Sequence, residues 1–237
     1  MGNKKTFLPQ IVRKTIIIDD DYIRENYDGN TIKMLRGQTS DDVITIFEYK
    51  IGERLTLFDE RKKQKLQQLI DNIVKNEPVT IAHESQHVHN ASLGYHYVAN
   101  SDNIYECMML SLANEMSAMM AGYLQQTKNP DQAMVETINN LSGNVRKHYI
   151  QKEFADHFYY LQKIHGKNKN LYKHTFDAKK IHEIIDYYFT INGQKIMNQL
   201  SKTTLFAFSS FMVEIKSDIN DFIDNQIMNN KSKDNTL

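Results

Sequence analysis

The stretch that most constrains this chain is Ile81-Ala82-His83-Glu84-Ser85-Gln86-His87, which has the form H-E-x-x-H. On a helix of about 3.6 residues per turn, His83 and His87 stand one turn apart and point the same way. Two imidazoles so placed can hold one Zn²⁺ through ring nitrogens. Glu84 follows His83 by about 100° of rotation, so its carboxylate sits beside such an ion rather than on it. From there it can take a proton from a zinc-bound water, whose pKa the metal lowers to about 7. The neighbours agree with a helix over about 79 to 92. Pro78 suits a first-turn position, Ile81, Glu84, Val88 and Ala91 share one broad arc, and Gly94 is placed to end the helix.

The pattern resembles the zincin metallopeptidases over roughly residues 78 to 125. The resemblance implies Zn²⁺ as cofactor, a peptide or protein as substrate, peptide-bond hydrolysis with Glu84 as general base, and a third metal ligand beside His83 and His87. In the metzincin branch that ligand is a His in the longer pattern H-E-x-x-H-x-x-G-x-x-H. Here Asn90 and Leu93 occupy its Gly and last His positions, so that branch does not fit. In the gluzincin branch the ligand is a Glu on a following helix, and Glu106 and Glu115 are available. Nine residues apart, they face opposite sides of one helix. Glu106 has another explanation, a capping box opened by Asn103. Glu115 lies mid-helix with Met108, Ser111, Leu112, Ala118, Met119 and Gly122 at helical spacing, where an unpartnered carboxylate is costly. Asn114-Glu115 also looks like the Asn-Glu pair that carries the gluzincin ligand. Glu115 is the favoured third ligand, with Glu106, His96 and His89 as alternatives. Two departures stand: Ser85-Gln86 is a polar filling for the motif, and Met119 sits where some gluzincins place an Asp that orients a zinc histidine. A different class is also open. In a non-catalytic, metal-stabilised interaction or regulatory protein, His89 or His96 would close the site as a fourth ligand.

Composition excludes more than it assigns. Formal net charge is zero, so no overall field draws the chain to nucleic acid or acidic lipid. No run of about 18 apolar residues is present, so no membrane helix is expected. A single cysteine, Cys107, forbids an internal disulfide. Met1-Gly2-Asn3-Lys4-Lys5 is followed by no apolar stretch, so no signal peptide is read and a cytoplasmic location is expected.

The expected fold is α+β, mostly α: a small N-terminal sheet, then a helical zincin-like core containing the H-E-x-x-H helix. Residues 1–53 form a strand-rich segment, 54–228 a helical metallopeptidase-like domain, and 229–237 a disordered polar tail. Thr15–Ile18, Thr31–Leu35 and Val43–Tyr49 read as strands, the last two joined through Gly37–Asp42. Val43–Tyr49 is the expected sheet edge. Asp19-Asp20-Asp21 lacks EF-hand spacing and reads as a solvated turn. Leu57, Leu66, Ile70 and Val74 give the apolar face of a helix before the motif. Later helices are expected at about 103–127, 131–149, 151–165, 176–190 and 202–228. The last carries Phe208, Phe211, Met212, Ile215, Ile219, Phe222 and Ile223 toward the core. The second half is dense in His and Tyr, among which His148 and Tyr149 are the first choice for an oxyanion donor.

Overall fold

Two β-branched strands and a short polar one near the N-terminus form one three-stranded sheet. The computed structural model describes residues 9–40, 42–92, 104–152, 163, 183 and 185–234. Its first elements are β1 (Gln10–Ile18), α1 (Asp20–Asn26), β2 (Gly37–Ser40), β3 (Val43–Ile51), α2 (Glu60–Lys75) and α3 (Glu77–Ser92). The strand order is β1-β3-β2. β1 runs parallel to β3 from Gln10↔Val43 to Ile18↔Ile51, and β2 pairs antiparallel, with Gly37↔Ile46 and Ser40↔Val43.

Strand β3 is therefore the centre of the sheet and not its edge, which corrects the expectation for Val43–Tyr49. The reason lies in its side chains. Ile44 and Ile46 bury one face with Val88 and Ile81 of α3. Phe47 and Tyr49 bury the other with Ile18, Leu66, Ile70 and Ile73. A strand apolar on both faces must be covered on both. The edge next to the motif helix is β2, inside the segment expected to be a connector. Thr31–Leu35 contributes only a bridge between Tyr27 and Ile32. A tight turn precedes it, in which Asp28 accepts from the backbone of Asn30 and Thr31 around Gly29 at φ 96°.

The acidic triplet ties chain segments together. Asp19 caps α1 by accepting from Tyr22 N at 3.0 Å. Asp20 accepts from Thr56 N and Leu57 N, which holds its carboxyl below the usual range, with the Thr56 hydroxyl as the largest cause. On α2, capped by Asp59, the buried stripe is Leu66, Ile70 and Ile73. Val74 is exposed instead, because Ile73 takes the place on the stripe after Ile70, and Leu57, which precedes the helix, is exposed too. Helix α3 starts at Glu77, with Pro78 as its second residue, and Arg13 of β1 grips Glu77 through two bonds of 2.6 and 2.8 Å. Gly94 lies outside the described residues.

The chain divides into two compact units, Met1–His89 and Asn90–Leu237, with the division inside α3. In the second unit α4 (Ile104–Thr127) is covered nearly all round, with Met108, Leu112, Met116, Ala118 and Met120 at 2% exposure or less. Asn129 caps α5 (Pro130–Asn140), with Pro130 in its first turn. The helix expected to reach 149 is broken after Asn140. Leu141 and Ser142 interrupt it, and the next helical stretch runs from Gly143, at φ 55°, through 152. A hairpin joins β4 (Thr190–Ile191) and β5 (Gln194–Lys195) through Asn192-Gly193, both at positive φ.

The last helix, α6 (Lys202–Asp234), buries Phe208, Phe211, Ile215, Ile219, Phe222 and Ile223 as its spacing predicts. It continues through Asp234, past Asn229, where a disordered tail was expected. Helix α5 packs on both α4 and α6. The expected helices at 151–165 and 176–190 fall largely outside the described residues. The architecture is α+β and mostly α. Among the described residues, no helix is long and apolar enough to cross a membrane.

Candidate metal centre

The pitch of helix α3 alone brings two imidazoles together. One turn apart, the His83 and His87 rings stand with Nε2 atoms 3.1 Å from each other and planes nearly perpendicular. Both rings are half-buried. Two nitrogens bound at 2.0–2.1 Å to one tetrahedral ion are about 3.3 Å apart. The observed spacing is within a few tenths of an ångström of that edge.

Glu115 supplies the third group. Among the described residues, His83, His87 and Glu115 each offer a ligand atom, and these atoms all lie within 4.8 Å of one another. Two imidazoles and one carboxylate form a donor set that zinc takes at sites with an open fourth position. Of the alternatives, Glu106 and His89 stand outside this group, and His96 lies outside the described residues. Burial pushes the His89 pKa down, which favours its neutral ring.

The helix carrying Glu115 is tied locally. Asn90, at 2% exposure, donates to Asn114 Oδ1 at 2.7 Å and to Ser117 Oγ at 2.8 Å. Ser117 in turn donates to the Asn114 carbonyl at 2.9 Å. These bonds fix the turn of α4 on which Glu115 sits. Asn90 was legible in the sequence only as the residue that breaks the metzincin pattern.

Glu84 is not among the three grouped residues, as a helical step of about 100° requires. It is 9% exposed, and its Oε2 accepts a 2.6 Å bond from the Thr39 hydroxyl on β2. Gly37, two residues earlier on the strand, comes so close that an added Cβ would stand 2.8 Å from Thr80 Cγ2 and 3.1 Å from Glu84 Cγ. Sequence reasoning missed both β2 residues. A lone Gly inside a polar stretch marks close backbone approach as readily as a turn, and that was the available signal.

The oxyanion candidates are less well placed by what is described. His148 is exposed and Tyr149 half-buried on the helical stretch through 152. Tyr188 is a core residue, and Tyr187 sits at the surface. His157, Tyr159, Tyr160, His165, Tyr172, His174 and His182 lie outside the described residues. No protein-family model, curated protein or solved structure matches the chain.

Proposed function

We propose that the chain is a zinc-dependent hydrolase of peptide bonds, of gluzincin type, acting on a peptide or protein substrate. The observation that supports this most is the grouping of His83, His87 and Glu115 within 4.8 Å while Glu84 stands beside the group. Zinc bound by those three residues would polarise the scissile carbonyl and lower the pKa of a water to about 7. His83 and His87 would hold it as neutral rings through ring nitrogens. Glu115 adds the one negative charge among the three. Glu84 accepts the proton of the attacking water and hands it to the leaving amine. Its Oε2 is occupied by Thr39, and no described residue donates a hydrogen bond to Oε1, which is the oxygen free to take that proton. The single cysteine is buried, which fits the cytoplasm as the place of action.

The test combines metal analysis with one substitution. The purified protein is expected to carry one zinc, and His83→Ala, His87→Ala and Glu115→Ala each to lose it. Glu84→Gln is expected to keep the zinc and lose hydrolysis of a peptide library by at least about a hundredfold. A Glu84→Gln protein as active as the wild type overturns the mechanism. Spectroscopy showing four protein ligands on the zinc overturns the open site and leaves a structural role.

A further inference from the structure

Glu84 is held from two sides by one strand. A carboxylate at 9% exposure needs a partner. The Thr39 hydroxyl approaches Oε2 at 2.6 Å and the Glu84 backbone carbonyl at 3.3 Å. A hydroxyl has one proton to donate, and the short contact with the carboxylate is the stronger acceptor. Thr39 is β-branched, so its χ1 is restricted. Its backbone is fixed in turn by the β2–β3 register, Thr39↔Ile44, where Ile44 is fully buried. Gly37 lies on the same face of β2, two residues away. The space its side chain would fill is bounded by Glu84 Cγ at 3.1 Å and Oε1 at 3.2 Å. The strand backbone thus limits the Glu84 side chain where the Thr39 hydroxyl does not.

We propose that Thr39 is a positioning residue for Glu84, with strand β2 as the brace that selects its side-chain rotamer. One carboxylate oxygen is tied to the sheet, and the other is left for the reacting water. This rests on the reading of Glu84 as general base. A buried carboxylate that merely needed a donor for stability would be served by any partner that kept the fold. A positioning role makes geometry, and not only folding, depend on the Thr39 hydroxyl.

The experiment compares wild type, Thr39→Val and Thr39→Ser, with zinc content, crystal structure and peptide kinetics measured for each. Thr39→Val keeps the shape and loses the donor, whereas Thr39→Ser keeps the donor. Thr39→Val is expected to bind zinc fully, to show Glu84 out of its wild-type rotamer, and to lose about 10- to 100-fold in kcat with KM little changed. Thr39→Ser is expected to restore both rotamer and kcat. If Glu84 stays in the wild-type rotamer in Thr39→Val, or Val and Ser variants lose kcat equally, the proposal is overturned. A wild type without zinc, or an active Glu84→Gln, counts against the hydrolase reading alone, and the rotamer comparison still decides the role of Thr39.

Discussion

Replacing Gly37 with Ala probes how tightly β2 lies on the motif helix. The added Cβ would meet Thr80 Cγ2 at 2.8 Å, Glu84 Cγ at 3.1 Å and Glu84 Oε1 at 3.2 Å, where ordinary contacts begin at 3.4 Å. The worst overlap is thus more than half an ångström and falls on a β-branched side chain with little freedom to turn away. Overpacking of this kind costs about 1–3 kcal/mol. Against it stands a gain of about 0.4–1 kcal/mol, because Ala has a less disordered unfolded state and Gly37 holds no positive φ. The net expectation is a loss of about 0–2.6 kcal/mol, centred on about 1.3 kcal/mol. Thr80→Ser removes the atom that clashes most and keeps the hydroxyl, which lies 3.4 Å from the Asn76 carbonyl. In the double variant about half the loss should therefore return, leaving the two contacts with Glu84. Urea unfolding followed by circular dichroism, with m-values checked for constancy, measures all four corners of this cycle. Additive effects, or a Gly37→Ala protein more stable than wild type, would refute the close approach.

Two further outcomes follow from ion pairs and turns. Asp28 is held down to about 2 from 3.8 by the backbone N–H groups of Thr31 and Asn30 and the Thr31 hydroxyl. A depressed carboxylate contributes stability that is present above pH 3.8 and lost as pH falls toward 2. Asp28→Asn should flatten that acid limb, as read from urea midpoints at about pH 5 and about pH 2.5. Arg146, 4% exposed, bonds Asp218 at 2.6 Å, while Lys147 keeps a 3.6 Å contact with the same carboxylate. Arg146→Met leaves Asp218 nearly buried with one weak partner, and a loss of about 2–4 kcal/mol is expected in denaturant unfolding, beside an Asp218→Asn/Arg146→Met double variant that recovers part of it.

Long helices were the most readable part of the chain. The apolar spacing of α6 and the mixed stripe around Glu115 repeat every turn, so each residue confirms its neighbours. The proximity of His83 and His87 was readable because one turn of a single helix relates them, whereas the approach of Glu115 depends on a second helix and could only be inferred from an acid set in an apolar spacing. What was missed depends on partners distant in the chain. Gly37-Gln38-Thr39-Ser40 has the composition of a turn and becomes a strand only by pairing with Val43–Ile46. Thr39 acquires its role from a residue on another element, which no local pattern encodes. Val43–Tyr49 was misplaced although both of its faces are apolar, a sign of a central strand. The Asn192-Gly193 hairpin was legible by turn chemistry and hidden between two expected helices. The break after Asn140 left no mark stronger than a single Gly143.

The parallel pairing of β1 with β3 has a kinetic consequence. The β2–β3 hairpin closes through a short connection, from Ser40 to Val43. The β1–β3 ladder closes a longer connection, which runs from Ile18 through α1 and β2 to Val43, so it carries the largest loop-closure cost in the sheet. The strand that presents Thr39 is therefore expected to pair early, and the exposed, isoleucine-rich β1 late, as the segment most open to mispairing with other chains before it docks.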